Sequence, residues 1–220
     1  MRRALVVRLA LMLGLAAMLA VRMGCTHGLG LRSFARGAAG ASSGEDGGEE
    51  QRAAGAAPAV TGAQLTALSG RLTDASGRAR TLAEFQGRPF VTSLVYTRCV
   101  TVCPRVVAEL QRFEREAGGG TPPRFVLISL DPAHDTPEAL RAFATLHALD
   151  STHWTLLTPE PALLPPLASA LGVAWRAGPD GGIAHSAVIA MVDRAGHVQD
   201  RRVGLSSAPG KLVAAWRAVQ

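Results

Sequence analysis

Residues 61–220 are predicted to form an α/β domain, a central mixed sheet flanked by helices with an N-terminal β-hairpin extension, on three observations. Short apolar runs bounded by Gly, Pro and Asp alternate with longer segments whose apolar residues recur at helical spacing. That alternation is the signature of strands joined by helical crossovers. The chain then closes with two β-prone runs around Asp193-Arg194-Ala195-Gly196 and a final helix. The hairpin extension is read from Gly70 to Leu82, where two short segments flank the turn Asp74-Ala75-Ser76-Gly77.

The elements follow in order. Phe90 to Tyr96 is an unbroken apolar strand, expected to be covered on both faces. A helix is expected from Pro104 to about Ala117, because proline suits a first helical position and Val106, Val107, Leu110 and Phe113 share one face. Gly118-Gly119-Gly120 ends it. Phe125 to Leu130 is the next strand, and Asp135-Thr136-Pro137-Glu138 supplies a cap, a proline and an early acid for a helix running to about Leu149. Trp154 to Leu157 is a third strand, Leu163, Leu167 and Leu171 mark a helix closing at Gly172, and Ser186 to Val192 pairs with His197 to Val203. Leu212 to Val219 is the terminal helix. This order is that of a thioredoxin-like fold, and no internal repeat is visible.

Residues 1–60 are of another kind. Arg2, Arg3 and Arg8 precede an uncharged apolar run, Leu9 to Val21, so residues 1–24 are expected to be an export signal or a membrane anchor. Gly24-Cys25 is similar to a lipoprotein processing site, but Arg22 occupies a position where such sites take an aliphatic residue. Residues 25–60, Gly/Ala/Ser-rich with few large apolar side chains, read as a tether. The expected location is the bacterial inner membrane facing the periplasm, or the periplasm itself.

The net charge of +6 is no sign of nucleic-acid binding: residues 61–220 hold 16 Lys and Arg against 13 Asp and Glu, with no basic block interleaved with aromatics. The chemistry concentrates in Tyr96-Thr97-Arg98-Cys99-Val100-Thr101-Val102-Cys103-Pro104, where a strand meets a helix N-terminus. Orphan N–H groups and the helix dipole there favour thiolate, the nucleophilic and metal-binding form of cysteine. Two uses are open: a soft metal, Cu(I) or zinc, or a redox-active disulfide between Cys99 and Cys103.

A metal needs a further ligand. His27 lies in the tether, His147 on an apolar helix stripe, and His134, His153 and His197 at ordinary surface positions. His185 differs: it directly precedes the strand Ser186–Val192 and follows the Gly-rich loop Gly178–Gly182, which is expected to carry it towards the cysteines. Zinc lacks an obvious fourth residue.

Taken together, Tyr96-Thr97-Arg98-Cys99 with Cys103-Pro104, Ile128-Ser129-Leu130-Asp131-Pro132 with Asp135-Thr136-Pro137, and His185-Ser186 before a strand ending in Asp193 resemble the Sco/SenC family of copper chaperones. The likeness covers about residues 65–220, in family order, and the three-part pattern is specific. It implies a thioredoxin-like fold, copper held as Cu(I) by Cys99, Cys103 and His185, with Cu(II) left open, and delivery to the binuclear copper site of cytochrome c oxidase. The implied partners are the copper-bearing oxidase subunit and another copper chaperone or a thiol reductant. One departure stands out: many relatives have Pro-Asp after the first cysteine, where this chain has Val100-Thr101. A metallochaperone is the expected class. The alternatives are a thiol-disulfide reductase for exported cysteines and a copper or redox sensor that passes metal to nobody. Against a general reductase stand the three-residue spacing and the lack of a proline from Gly181 to Asp193.

Overall fold

The computed structural model describes residues 62–117, 122–178, 181–205 and 209–219. All fall in one compact unit, Gly47–Gln220. The anchor segment, the tether, Cys25 and His27 lie outside the described residues. Among those described, no helix is long and apolar enough to cross a membrane.

Seven strands form one mixed sheet: β1 (Leu72–Asp74), β2 (Ala79–Arg80), β3 (Phe90–Val95), β4 (Phe125–Ser129), β5 (Trp154–Pro159), β8 (Val188–Val192) and β9 (Val198–Val203), in the order β2-β1-β5-β4-β3-β8-β9. Between β5 and β8 in sequence, β6 (Trp175–Ala177) and β7 (Ile183–His185) make a separate antiparallel ribbon. The helices are α1 (Val102–Glu116), α2 (Pro137–Leu146), α3 (Leu164–Leu171) and α4 (Pro209–Val219).

β3, β4 and β5 run parallel, each pair joined by a helix, while β1, β8 and β9 are antiparallel additions. Every residue of β3 and β4 is buried, as expected of strands covered on both faces. Alternation along β3 sends Val91 and Val95 into the core with α1, α2 and α4, and Phe90 and Leu94 into the core with α3. On the α1 side Phe125 stacks on Trp154 with ring centroids 4.1 Å apart. The fold is therefore thioredoxin-like, with the β1–β2 hairpin as its N-terminal extension. Asp74 holds the hairpin turn: burial works against its charge, but hydrogen bonds from Ser76, Arg78 and Arg80 keep its carboxyl well below the usual range.

Three sequence expectations are corrected and one, the cap of α2, is made specific. α1 starts at Val102, so Pro104 is its third residue; a missing N–H is harmless throughout the first turn, whose N–H groups have no intrahelical acceptor. Within the expected capping run the cap of α2 is Thr136, whose Oγ1 accepts the Ala139 N–H at 3.3 Å, while Asp135 is buried. α2 ends at Leu146, with His147 as its C-cap. The run from Ser186 is broken: Ser186 N–H donates to the Ala174 carbonyl (2.9 Å) and its Oγ accepts from Ala174 N–H (3.1 Å), which separates β7 from β8.

Gly172, as expected, closes α3 in the left-handed conformation, φ 61°. A Cβ there would collide with the Arg201 guanidinium, which donates to the Leu171 carbonyl. Gly172→Ala is expected to lower stability by about 1–3 kcal/mol in denaturant unfolding, from positive φ and the displaced arginine together.

Candidate functional site

The site forms at the carboxyl edge of the parallel strands, where open α/β sheets commonly place their chemistry. β3 ends at Val95, and the Cys99 N–H donates to the Tyr96 carbonyl at 3.2 Å, turning the chain into α1. Cys99 therefore precedes the helix while Cys103 lies in its first turn. Both are free thiols. Their adjacency is direct: the Cys103 N–H donates to Cys99 Sγ at 3.3 Å. Val100 between them is 87% exposed, at the tip of the loop.

The two sulfurs are electrostatically unequal. Burial opposes ionisation of Cys99, but the N–H groups of Cys103, Thr101 and Val102, with the Cys103 thiol, outweigh it and lower its pKa to about 7. These are the orphan donors of the helix N-terminus. Cys103 is pushed far up, first by burial and further by Cys99 and Asp135, although the Tyr96 N–H works against this. Iodoacetamide is thus expected to modify Cys99 in the reduced protein with a rate midpoint near pH 7, about half of it being thiolate there. Cys103 should stay unmodified until the protein unfolds, as peptide mapping can check.

The same asymmetry makes stability depend on pH. Cys99, lowered from about 9, contributes stability above that value and loses it as pH falls through about 7. Cys103, raised, contributes below about 9 and loses its contribution as pH rises beyond. Denaturation midpoints of the reduced protein are expected to rise from pH 7 towards 9 and then fall, with the rise absent in Cys99→Ser.

His185 lies on β7, half-buried and paired in register with Trp175. Its Nδ1 is 3.1 Å from the Ser186 carbonyl, an acceptor only, so Nδ1 carries the proton. Nε2 then holds a lone pair, and it is buried with no hydrogen-bond partner. Burial lowers the ring's pKa, partly offset by the Ser186 carbonyl, so it is neutral at neutral pH. The Tyr96 ring meets it edge-on at 5.8 Å. Burial and then the neighbouring Cys99 raise the pKa of the Tyr96 phenol, which thus lies between one cysteine and the histidine.

The structure brings Cys99 and Cys103 together, and His185 up to Tyr96. It does not close the triad: among the described residues, no three His, Cys, Asp or Glu side chains are near enough to hold a metal ion. Of the other described histidines, His134 lies against Asp131 and the remaining three have ordinary surroundings. His147 packs on Phe143, His153 Nδ1 is 3.3 Å from Glu114, and His197 Nδ1 is 3.8 Å from Asp193.

Sequence reasoning missed the layer beneath. Asp135, fully buried, accepts hydrogen bonds from the Thr97 N–H, from Thr97 Oγ1 (2.6 Å) and from Ser129 Oγ (2.6 Å). Ser129 Oγ in turn accepts the Asp131 N–H at 2.8 Å. Asp131 receives Arg98 through Nε (3.0 Å) and Nη2 (2.6 Å), and its other oxygen faces His134 Nδ1 at 2.7 Å. Burial opposes the Asp131 charge, but His134 and Arg98 hold its carboxyl below the usual range. The signal available was the spacing Ser-x-Asp-x3-Asp after a buried strand.

The sequence profile of the SCO1/SenC family matches residues 60–218. The SCO1 protein homolog of Bacillus subtilis (strain 168) is 26% identical over 83 residues, 37% of this chain and 43% of that protein, so the match spans less than half of the relative. The structure of Bradyrhizobium japonicum ScoI with copper bound is 26% identical, with a TM-score of 0.58, over 69% of this chain and 97% of that one. BsSco, described as having a disulfide switch and as a member of the Sco family of cytochrome c oxidase assembly proteins, gives 20% identity and a TM-score of 0.60, covering 69% of this chain and 92% of its own. Since the family profile spans the sheet, the cysteine loop and His185, the chain belongs to the SCO1/SenC family.

Proposed function

We propose that this chain is a copper chaperone that takes up one Cu(I) through Cys99, Cys103 and His185 and passes it to the copper-bearing subunit of cytochrome c oxidase. The observation that carries the reading is the buried, unpartnered Nε2 of a His185 ring whose Nδ1 proton is already committed to Ser186. An apolar setting around an unused lone pair is costly unless something occupies it. Two soft thiolates and a neutral imidazole suit Cu(I), and a ring tied to Tyr96 has to shift to join the sulfurs. Family membership and the copper-bound Bradyrhizobium relative point the same way. Residues 1–24 would hold the chaperone at the bacterial inner membrane with its domain, residues 61–220, on the periplasmic side at the end of the 25–60 tether.

A second reading has its own support. A thiol near neutrality beside a buried, high-pKa partner is the arrangement of an attacking and a resolving cysteine, so thiol-disulfide exchange with a client is open to the same pair. The two activities exclude each other at any moment, because forming the Cys99–Cys103 disulfide removes two electrons, two protons and both thiolate ligands. The test is anaerobic titration of the reduced chain against a competing Cu(I) chelator, beside a thiol count. One Cu(I) per reduced chain and none on the oxidised chain supports the chaperone. Rapid reduction of disulfide substrates with no copper retained would replace it by the reductase.

A further inference from the structure

Two hydrogen bonds join the cysteine loop to the ribbon that carries His185, and both come from residues outside the ligand set. Tyr96 Oη donates to the Ile183 carbonyl at 3.3 Å, and Arg98 Nη2 donates to the Gly181 carbonyl at 3.2 Å. Each donor is itself fixed. Arg98 is gripped by Asp131 through two of its nitrogens, and Tyr96 packs half-buried between the two cores with its ring against His185. Thr97, between them, is held on Asp135. Three consecutive side chains thus divide the work, the middle one anchored to the scaffold and its neighbours reaching the ribbon.

The ribbon needs such ties. β6 and β7 are three residues each and pair only with one another, and a two-stranded ribbon has little stability of its own. At its base Ser186 and Ala174 tie the two ends of the ribbon to each other. Further out, at Gly181 and Ile183, the cysteine loop itself provides the support.

We propose that Tyr96 and Arg98 are positioning residues that suspend β7 from the cysteine loop and so set where His185 presents Nε2 to the sulfurs. The inference rests on the reading of His185 as the third copper ligand. Its consequence is that the backbone bearing His185 is registered against the cysteines by the residues immediately before Cys99, which leaves the closing of the site to movement of the His185 ring itself. A carboxylate grip on a planar guanidinium serves this better than a lysine, whose three N–H donors radiate from one rotating nitrogen and cannot hold Asp131 through two nitrogens while reaching Gly181 in a fixed plane.

The test compares the full 220-residue chain, reduced, as wild type, His185→Ala, and the double variant Tyr96→Phe with Arg98→Gln. Without copper, amide exchange of residues 183–185 should quicken in the double variant while that of β3 and β4 stays unchanged. With copper, its Cu(I) affinity should fall about 10- to 100-fold, the range for losing partners that orient a ligand, and the nitrogen scatterer in its X-ray absorption should diminish. Restoring Arg98 alone should recover part of the affinity. Unchanged ribbon exchange with wild-type affinity and a full nitrogen contribution would overturn the proposal, as would exchange that quickens equally in β3 and β4. Should His185→Ala bind like wild type, the ligand reading fails and the proposal with it, an outcome distinct from failure of the double variant alone.

Discussion

Replacing Cys103 by serine is expected to abolish high-affinity Cu(I) binding and, with it, the ability to form the Cys99–Cys103 disulfide. The substitution is nearly isosteric, so the fold should survive, yet it exchanges a soft, polarizable donor for a hard hydroxyl that does not ionise in this range. Metal sites of four ligands bring roughly 10–16 kcal/mol at neutral pH, or about 3–4 kcal/mol per ligand, which corresponds to about 100- to 1,000-fold in affinity. A three-ligand site has less to spare. Cys103 is fully buried, and losing its proton to a metal removes a thiol that the fold otherwise keeps neutral. Cys99→Ser should fail as severely, since it removes the sulfur that the helix N-terminus prepares as thiolate. Anaerobic chelator competition reads both variants, and wild-type affinity in either would show that copper is held elsewhere.

The largest effect on stability is expected at a residue that binds nothing. Asp135→Ala leaves the Thr97 N–H, Thr97 Oγ1 and Ser129 Oγ without their common acceptor in a fully buried position. Stranding one buried and two half-buried donors costs about 3–5 kcal/mol, to be read from denaturant unfolding of the reduced chain. Because Thr97 is two residues before Cys99, the same change should loosen the cysteine loop and raise the reactivity of Cys103 towards iodoacetamide. Asp135→Asn keeps the shape but turns one acceptor into a donor, and a loss of about 1–3 kcal/mol is expected. Wild-type stability in the alanine variant would mean that the carboxylate does not organise the loop.

Much of this was legible because the relevant signals are local. The apolar run from Phe90, the cysteines at a strand-to-helix junction, and Gly172 after a leucine stripe each announce an element through periodicity or backbone conformation; β3 and the end of α3 stand where they were expected, and α1 begins two residues earlier, taking in Cys103. The ribbon β6–β7 was illegible for the same reason. Trp175, Arg176 and Ala177 are all exposed, so β6 has no alternation to read, and β7 merges in sequence with the apolar run that follows. Only the Ser186–Ala174 pair, twelve residues apart, separates them. The run Asp135-Thr136-Pro137 announced a cap without naming which residue supplies it. A residue before proline is held extended, which already suits Thr136 (φ −67°, ψ 165°) as the cap and releases Asp135 for burial.

At the candidate site, the sequence offered residue types and not their electrical states. Sequence singled out Cys99, Cys103 and His185, of which the structure brings the two cysteines together, and the inequality of the thiols follows from one sulfur meeting backbone N–H groups while the other is buried. The ties of Arg98 to Asp131 and Gly181 span 33 and 83 residues, beyond any periodicity.

X-ray absorption of the Cu(I)-loaded, reduced chain tests the central claim most directly. Two sulfur scatterers and one nitrogen are predicted for wild type, and two sulfurs alone for His185→Ala. Two sulfurs without nitrogen in both proteins, at equal affinity, would contradict a site built from Cys99, Cys103 and His185.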